Sequence, residues 1–147
     1  TVDGETWSAD RPDGFSYLRL AAMPETCSIE VTVSIEPWTR SAGVILRADD
    51  ALDQYYEVRI EPARRRVVFD RWPRPGDEPF TFERPVPESA DESYRLRILV
   101  DGSCVVVYVD DSVALSCRAY GVSDRAVGLF VSEGSAVFRH IAVRKAG

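Results

Sequence analysis

The chain has 147 residues, of which 45% are hydrophobic and 29% charged, with a formal net charge of −6. That is material for one substantial core without metal or disulfide staples, and the acidic balance offers no basic field to nucleic acid or to an anionic membrane surface. No apolar run reaches the roughly 18 residues of a transmembrane helix, and the segment opening at Thr1 has neither the basic nor the apolar region of a signal peptide.

No window carries apolar residues at the helical period, whereas many alternate or form short β-branched runs between turn residues. The first predicted strand covers 15–22. A second, at 28–36, is placed at an exposed sheet edge. Three more follow at 42–48, 54–61 and 66–72, and within them Val44 and Leu46, Tyr56, Val58 and Ile60, and Val67 and Phe69 take one face. Pro73, Pro75 and Pro79 make the stretch from Trp72 onward an exposed loop. Strands at 79–84, 93–101, 104–110 and 113–119 come next, with a two-residue turn at Asp101-Gly102 and a turn at Asp110-Asp111-Ser112. The last two strands, 126–132 and 136–144, are separated by a hairpin turn at Glu133-Gly134-Ser135. Many short antiparallel strands in succession predict an all-β fold, an antiparallel β-sandwich of jelly-roll, concanavalin-like type. Residues 1–147 are read as a single domain, and because Thr1 is not Met we expect a module of a longer chain.

Parity decides the register at 110–112. A two-residue turn would set Cys104 opposite Cys117 but turn Val113 and Leu115 to the wet face; a three-residue turn through Ser112 aligns both with Val105, Val107 and Val109. The second is expected, with the two cysteines on opposite faces and no disulfide between them. Three cysteines without a CxxC pair also give no structural zinc spacing. His140, the only histidine, lies in a strand-like segment and is read as a solvated strand residue, not as a catalytic base.

The polar side of strands 42–48, 54–61 and 66–72 gathers Arg47, Glu57, Arg59 and Asp70, with Tyr55 or Trp72 beside them. Such a set suits a sugar, whose vicinal hydroxyls meet charged groups of fixed geometry while an aromatic ring covers the apolar ring face. The same residues also fit plain cross-strand ion pairs on a solvated sheet. Glu57 and Asp70 form a carboxylate pair of the type used in glycoside hydrolysis, but arginines beside both leave no proton donor, so no catalytic residue is assigned. Calcium is the cation that Asp49-Asp50 or Asp110-Asp111 would attract; neither pair has the alternating oxygen spacing of an EF-hand loop, and no cofactor is expected. Of Trp7, Trp38 and Trp72, the last is expected to be the exposed platform.

In the segments GVILRADD, YYEVRI, VVFDR, YRLRILVDGSCVVVYVDD and AVGLFVSEGSAVFRHIAVRK, the chain resembles the C-terminal β-sandwich of glycoside hydrolase family 32 and, equally, the family 66 carbohydrate-binding modules. The family signature of an apolar strand followed by Asp, then Arg, Lys or Gly, then Ser is met by Leu99 to Ser103, with Val106 where the family has Glu and Asp110 where it has Asn. The catalytic motifs W-x-N-D-P-x-G and E-C-P do not occur. The resemblance implies a non-catalytic module that recognises fructose units of fructans of levan, inulin or sucrose type, with Arg47, Tyr55, Glu57, Arg59, Asp70 and Trp72 as ligand-binding residues. The alternative that it implies is a structural accessory sandwich packed on the catalytic propeller of the same parent chain. Fructan or another carbohydrate, or that catalytic domain, would be the partner, and an extracellular location follows from the resemblance to fructan-degrading proteins.

Overall fold

A computed structural model of the chain describes residues 2–73, 81–87, 91–119 and 125–146. The strands are β1 (Val2–Ala22), β2 (Thr26–Ile35), β3 (Ser41–Ala48), β4 (Tyr55–Glu61), β5 (Arg66–Trp72), β6 (Thr81–Pro85), β7 (Ser93–Asp101), β8 (Cys104–Val109), β9 (Val113–Arg118) and β10 (Ala126–Lys145). All their pairings are antiparallel, in the order β6-β5-β4-β3-β10-β2-β7-β8-β9, with β1 along β10.

One path makes two sheets because β10 changes partner midway. Residues 126–132 pair with β3 and residues 136–145 with β2, while β1 follows β10 along nearly its whole length. The sheets fold over each other at that crossover, and β6 and β9, the two ends of the path, meet on the opposite side. The result is the expected β-sandwich, closed almost to a barrel, which leaves little unpaired edge. Between the sheets lies one apolar core, to which Val58, Ile60 and Phe69 contribute from one side and Ile29, Leu96, Val107 and Leu115 from the other.

The crossover corrects the sequence expectation at Glu133-Gly134-Ser135, which is a bend inside a continuous strand and not a hairpin. Glu133 and His140 have φ of 51° and 54°, and at each the core-facing parity of β10 changes. Leu129 and Val131 face the core before the first, Ala136 and Phe138 between the two, and Ile141 and Val143 after the second. Each is an extra residue that re-aims the strand, and in sequence such a break in period two reads as a turn. The corner between β2 and β3 seals the bend: the Ser135 amide donates to Thr39 Oγ1 and the Thr39 hydroxyl donates to the Ser135 carbonyl, each at 3.0 Å. Only glycine fits there, since a Cβ at position 134 would lie 2.4 Å from Thr39.

Other expectations shift as well. The first strand extends back to Val2, because pairing with β10 carries it through the polar stretch before Phe15. β2 lies inside the sheet between β10 and β7, so residues 28–36 are not an edge. The β7–β8 turn is Gly102-Ser103, with Asp101 paired to Cys104; this moves the register by one pair and keeps the faces as expected. The turn at 110–112 is the three-residue one, pairing Val109 with Val113. Cys104 is accordingly exposed and Cys117 buried, and Cys27, Cys104 and Cys117 are all free thiols. Of the proline-rich loop expected at 72–79, residues 74–79 lie outside the described residues; β6 gives the described part of the strand expected at 79–84.

Candidate functional site

The outer face of the β1-β10-β3-β4-β5-β6 sheet carries a concave pocket of about 690 Å³, lined among others by Phe15, Tyr55, Glu57, Arg59, Glu61, Arg66, Asp70, Arg71, Trp72 and Phe130. Alternation along β4 sends Tyr56, Val58 and Ile60 into the core and Tyr55, Glu57, Arg59 and Glu61 outward. Pairing of β4 with β5 sets Glu57 opposite Asp70 and Tyr55 opposite Trp72.

Arg59 is the hub. Its Nη1 donates to Glu57 Oε1 at 3.0 Å and to Asp70 Oδ2 at 2.9 Å, and its Nε donates to Glu61 Oε2 at 2.7 Å. Asp70, with a side chain only 3% exposed, also accepts the Arg71 amide at 2.8 Å. Arg66 donates through Nε to Glu61 Oε1 at 3.0 Å and through Nη1 to Glu83 on β6. Burial by itself would push the Arg59 guanidinium down, but hydrogen bonds to Glu61 and Asp70 and the charge of Glu57 outweigh it and hold Arg59 above its ordinary value. Burial likewise pushes the Glu61 carboxyl up, and Arg59 and Arg66 more than reverse this. Tyr55 is held above the usual phenol range by burial first and then by the charges of Glu57 and Asp70, against the opposing Arg59.

The network locks half of the guanidinium and leaves the other half available. Both protons of Nη1 and the single proton of Nε are engaged, while among the described residues no hydrogen bond takes Nη2. A planar fork held at one side and open at the other suits a pair of neighbouring hydroxyls. Aromatic surface flanks it: Trp72 is 54% exposed, and Tyr55 packs on a small outer cluster of Ile45, Ala48, Ala126 and Phe130. The three carboxylates on Arg59 are anchors for that fork.

Five of the six expected site residues thus meet in one pocket: Tyr55, Glu57, Arg59, Asp70 and Trp72. Arg47 does not. Its φ of 53° marks a bulge in β3, where the register with β10 shifts, and its side chain leaves the sheet face to donate through Nη2 to the Gly102 carbonyl in the β7–β8 turn. Glu61, Arg66 and Phe15 were not anticipated. Glu61 continues the alternation of Tyr55, Glu57 and Arg59 by one step and was legible in that pattern; Phe15 reaches the pocket only because the two ends of the chain pair.

The remaining candidates have structural places. Trp7 packs on Phe138 at 5.5 Å between ring centroids, Trp38 is exposed away from the pocket lining, and His140 is an exposed bulge residue. Asp49 accepts the Asp53 and Gln54 amides, and Asp110 accepts the Arg95 amide, so both acidic pairs supply turn caps. Among the described residues no cluster of three or more metal-ligating side chains is assembled.

A two-sheet antiparallel sandwich with a charged, aromatic-walled pocket on one outer face defines a carbohydrate-binding or accessory β-sandwich domain. The chain belongs to the family described as glycosyl hydrolases family 32 C terminal, which matches residues 8–145. No curated protein sequence matches it. Among solved structures it is similar to the carbohydrate binding module CBM66 from Bacillus subtilis, at 19% identity over 96% of this chain and 92% of that one, with a TM-score of 0.78. It is similar also to a fructosyltransferase from A. japonicus, at 18% identity over 99% of this chain and 26% of that one, TM-score 0.79. An exo-inulinase from Aspergillus awamori aligns at 16% identity over 96% of this chain and 29% of that one, TM-score 0.73. The chain therefore spans between a quarter and a third of those two proteins and nearly all of the first.

Proposed function

We propose that this domain is a non-catalytic carbohydrate-binding module that recognises fructose units of fructans in the Arg59 pocket. The observation that carries the reading is the half-open guanidinium: Arg59 is fixed by Glu57, Glu61 and Asp70 and, among the described residues, leaves Nη2 without a protein partner in a pocket that exposed Trp72 also lines. Vicinal hydroxyls of one sugar unit dock on Nη2 and the neighbouring carboxylate oxygens, and the ring of Trp72 or Tyr55 covers the apolar side of the sugar. The fold likeness to a module titled as carbohydrate binding supports the class, and the likeness to a fructosyltransferase and an exo-inulinase supports fructan as the ligand. In this reading the module belongs to a longer, extracellular chain with a glycoside hydrolase domain.

A second reading, an accessory sandwich that packs on the catalytic domain of its own chain, draws on the same likeness, because the matched region is only a part of both enzymes. Calorimetric titration with fructose, levan and inulin oligomers, against glucan controls, separates the two. Saturable fructan binding of millimolar to micromolar order, about −4 to −8 kcal/mol, lost in Arg59→Ala and in Trp72→Ala, is expected of the module. No heat with any fructan would sink the binding reading and leave the accessory one.

A further inference from the structure

The pocket has a second aromatic surface besides Tyr55 and Trp72: Phe15 of β1, 40% exposed, lies over buried Phe130 with ring centroids 5.7 Å apart and planes inclined by 19°. A phenyl ring exposed in a polar pocket gains nothing from water, and this one is held flat by the ring beneath it. Between Arg59 and the phenyl pair the strand row is bare. Gly43 of β3 pairs with Arg59 on one side and with Phe130 on the other, so no side chain stands between the guanidinium and the phenyl pair. Two strand spacings of about 4.8 Å put roughly 10 Å between the β4 and β10 backbones, the span of two linked sugar rings.

Resting on the reading of the Arg59 pocket as a sugar site, we propose that Phe15 is a second sugar platform, which takes the next unit of an oligosaccharide whose terminal unit sits on Arg59. The pocket volume of about 690 Å³ exceeds what one sugar ring fills and lies within the ~300–1,000 Å³ of sites for larger small-molecule ligands. The first unit is read by charge and hydrogen bonds; the second is held by the contact of its C–H face with an aromatic ring, which tolerates different linkages. Length of the sugar chain, and not only the identity of its end, then sets affinity.

The test is calorimetry on the whole domain with fructose and with a levan-type and an inulin-type trisaccharide, for wild type, Phe15→Ala, Phe15→Leu and Phe15→Trp, each checked by thermal melting. The wild type is expected to bind the trisaccharides about tenfold more tightly than fructose; that gain corresponds to about 1.4 kcal/mol. Phe15→Ala and Phe15→Leu remove the gain while fructose affinity stays within twofold, and Phe15→Trp keeps it. Equal wild-type affinity for fructose and trisaccharide, or an undiminished length preference in both Phe15→Ala and Phe15→Leu, overturns the platform and leaves the Arg59 site standing. Absence of binding to every fructan overturns both.

Discussion

Replacing Arg59 by Met removes the charge that holds three carboxylates together while keeping most of the stem that covers the sheet. The Arg59 side chain is 13% exposed, Glu61 12% and Asp70 3%, whereas Glu57 reaches solvent at 19%. Removing one partner of a buried ion pair costs about 3–5 kcal/mol, because the other is left uncompensated. Here Glu57 relaxes outward, while Glu61 loses its 2.7 Å bond from Arg59 and Asp70 its 2.9 Å one, so the penalty falls on these two carboxylates and the expected loss is about 3 kcal/mol. That corresponds to a fall in Tm of roughly 6–12 °C for a chain of this size. The loss is pH dependent. Arg59 and Arg66 hold Glu61 below the ordinary 4.5, so its contribution is present above that value and disappears as pH falls through the lower, folded one. Urea unfolding of wild type and variant from pH 7 down to about pH 3 should give curves that converge on the acid side. A loss under about 1 kcal/mol at pH 7, or one that is the same at both ends of the range, would refute the argument that the cluster is held by a buried, mutually compensating charge set.

Four further outcomes follow from particular residues. Gly43→Ala places a Cβ 1.9 Å from the Val58 carbonyl oxygen and 3.1 Å from the Arg59 Cα, so thermal melting should report a loss of about 1–3 kcal/mol or more, with sugar affinity reduced in parallel. Arg47→Met cuts the bond to the Gly102 carbonyl and should cost about 1–2 kcal/mol in urea unfolding, with fructan affinity unchanged by titration. A thiol-reactive chromophore should label Cys104 alone in the native domain and all three cysteines in urea. Burial pushes the Cys117 thiol up to about 12, so it remains protonated in the folded state when the unfolded chain has already lost its proton; stability should therefore fall between about pH 9 and pH 12, and Cys117→Ser should flatten that fall.

Much of this architecture is written in alternation. The parity of Val113 and Leu115 was enough to choose the turn at 110–112 and to separate Cys104 from Cys117, because every other register buries the wrong residues. The same logic brought Tyr55, Glu57, Arg59, Asp70 and Trp72 to one face. It failed for Arg47, Glu133 and His140, all residues of positive φ, where one extra residue reverses the faces without a glycine or proline at the position itself to announce it. β1 before Phe15 was also out of reach, since its polar, proline-containing sequence has little strand pattern of its own and is extended only by the partner strand beside it. Phe15 entered the pocket for the same reason: its neighbour Phe130 lies at the far end of the chain.

Both sheets are built on β10, which is the last strand in chain order, and β1, the first, pairs with it from Val2 to Ala22. Neither sheet can therefore be completed before the other, because each lacks an inner strand until the crossover bend at Glu133 to Ser135 has formed and Thr39 has closed on it. Such a layout favours a single slow, all-or-none folding step dominated by contacts between distant segments. It also couples the Arg59 pocket to the opposite sheet: a disturbance anywhere along β10 loosens Phe130, and with it the aromatic surface under Phe15.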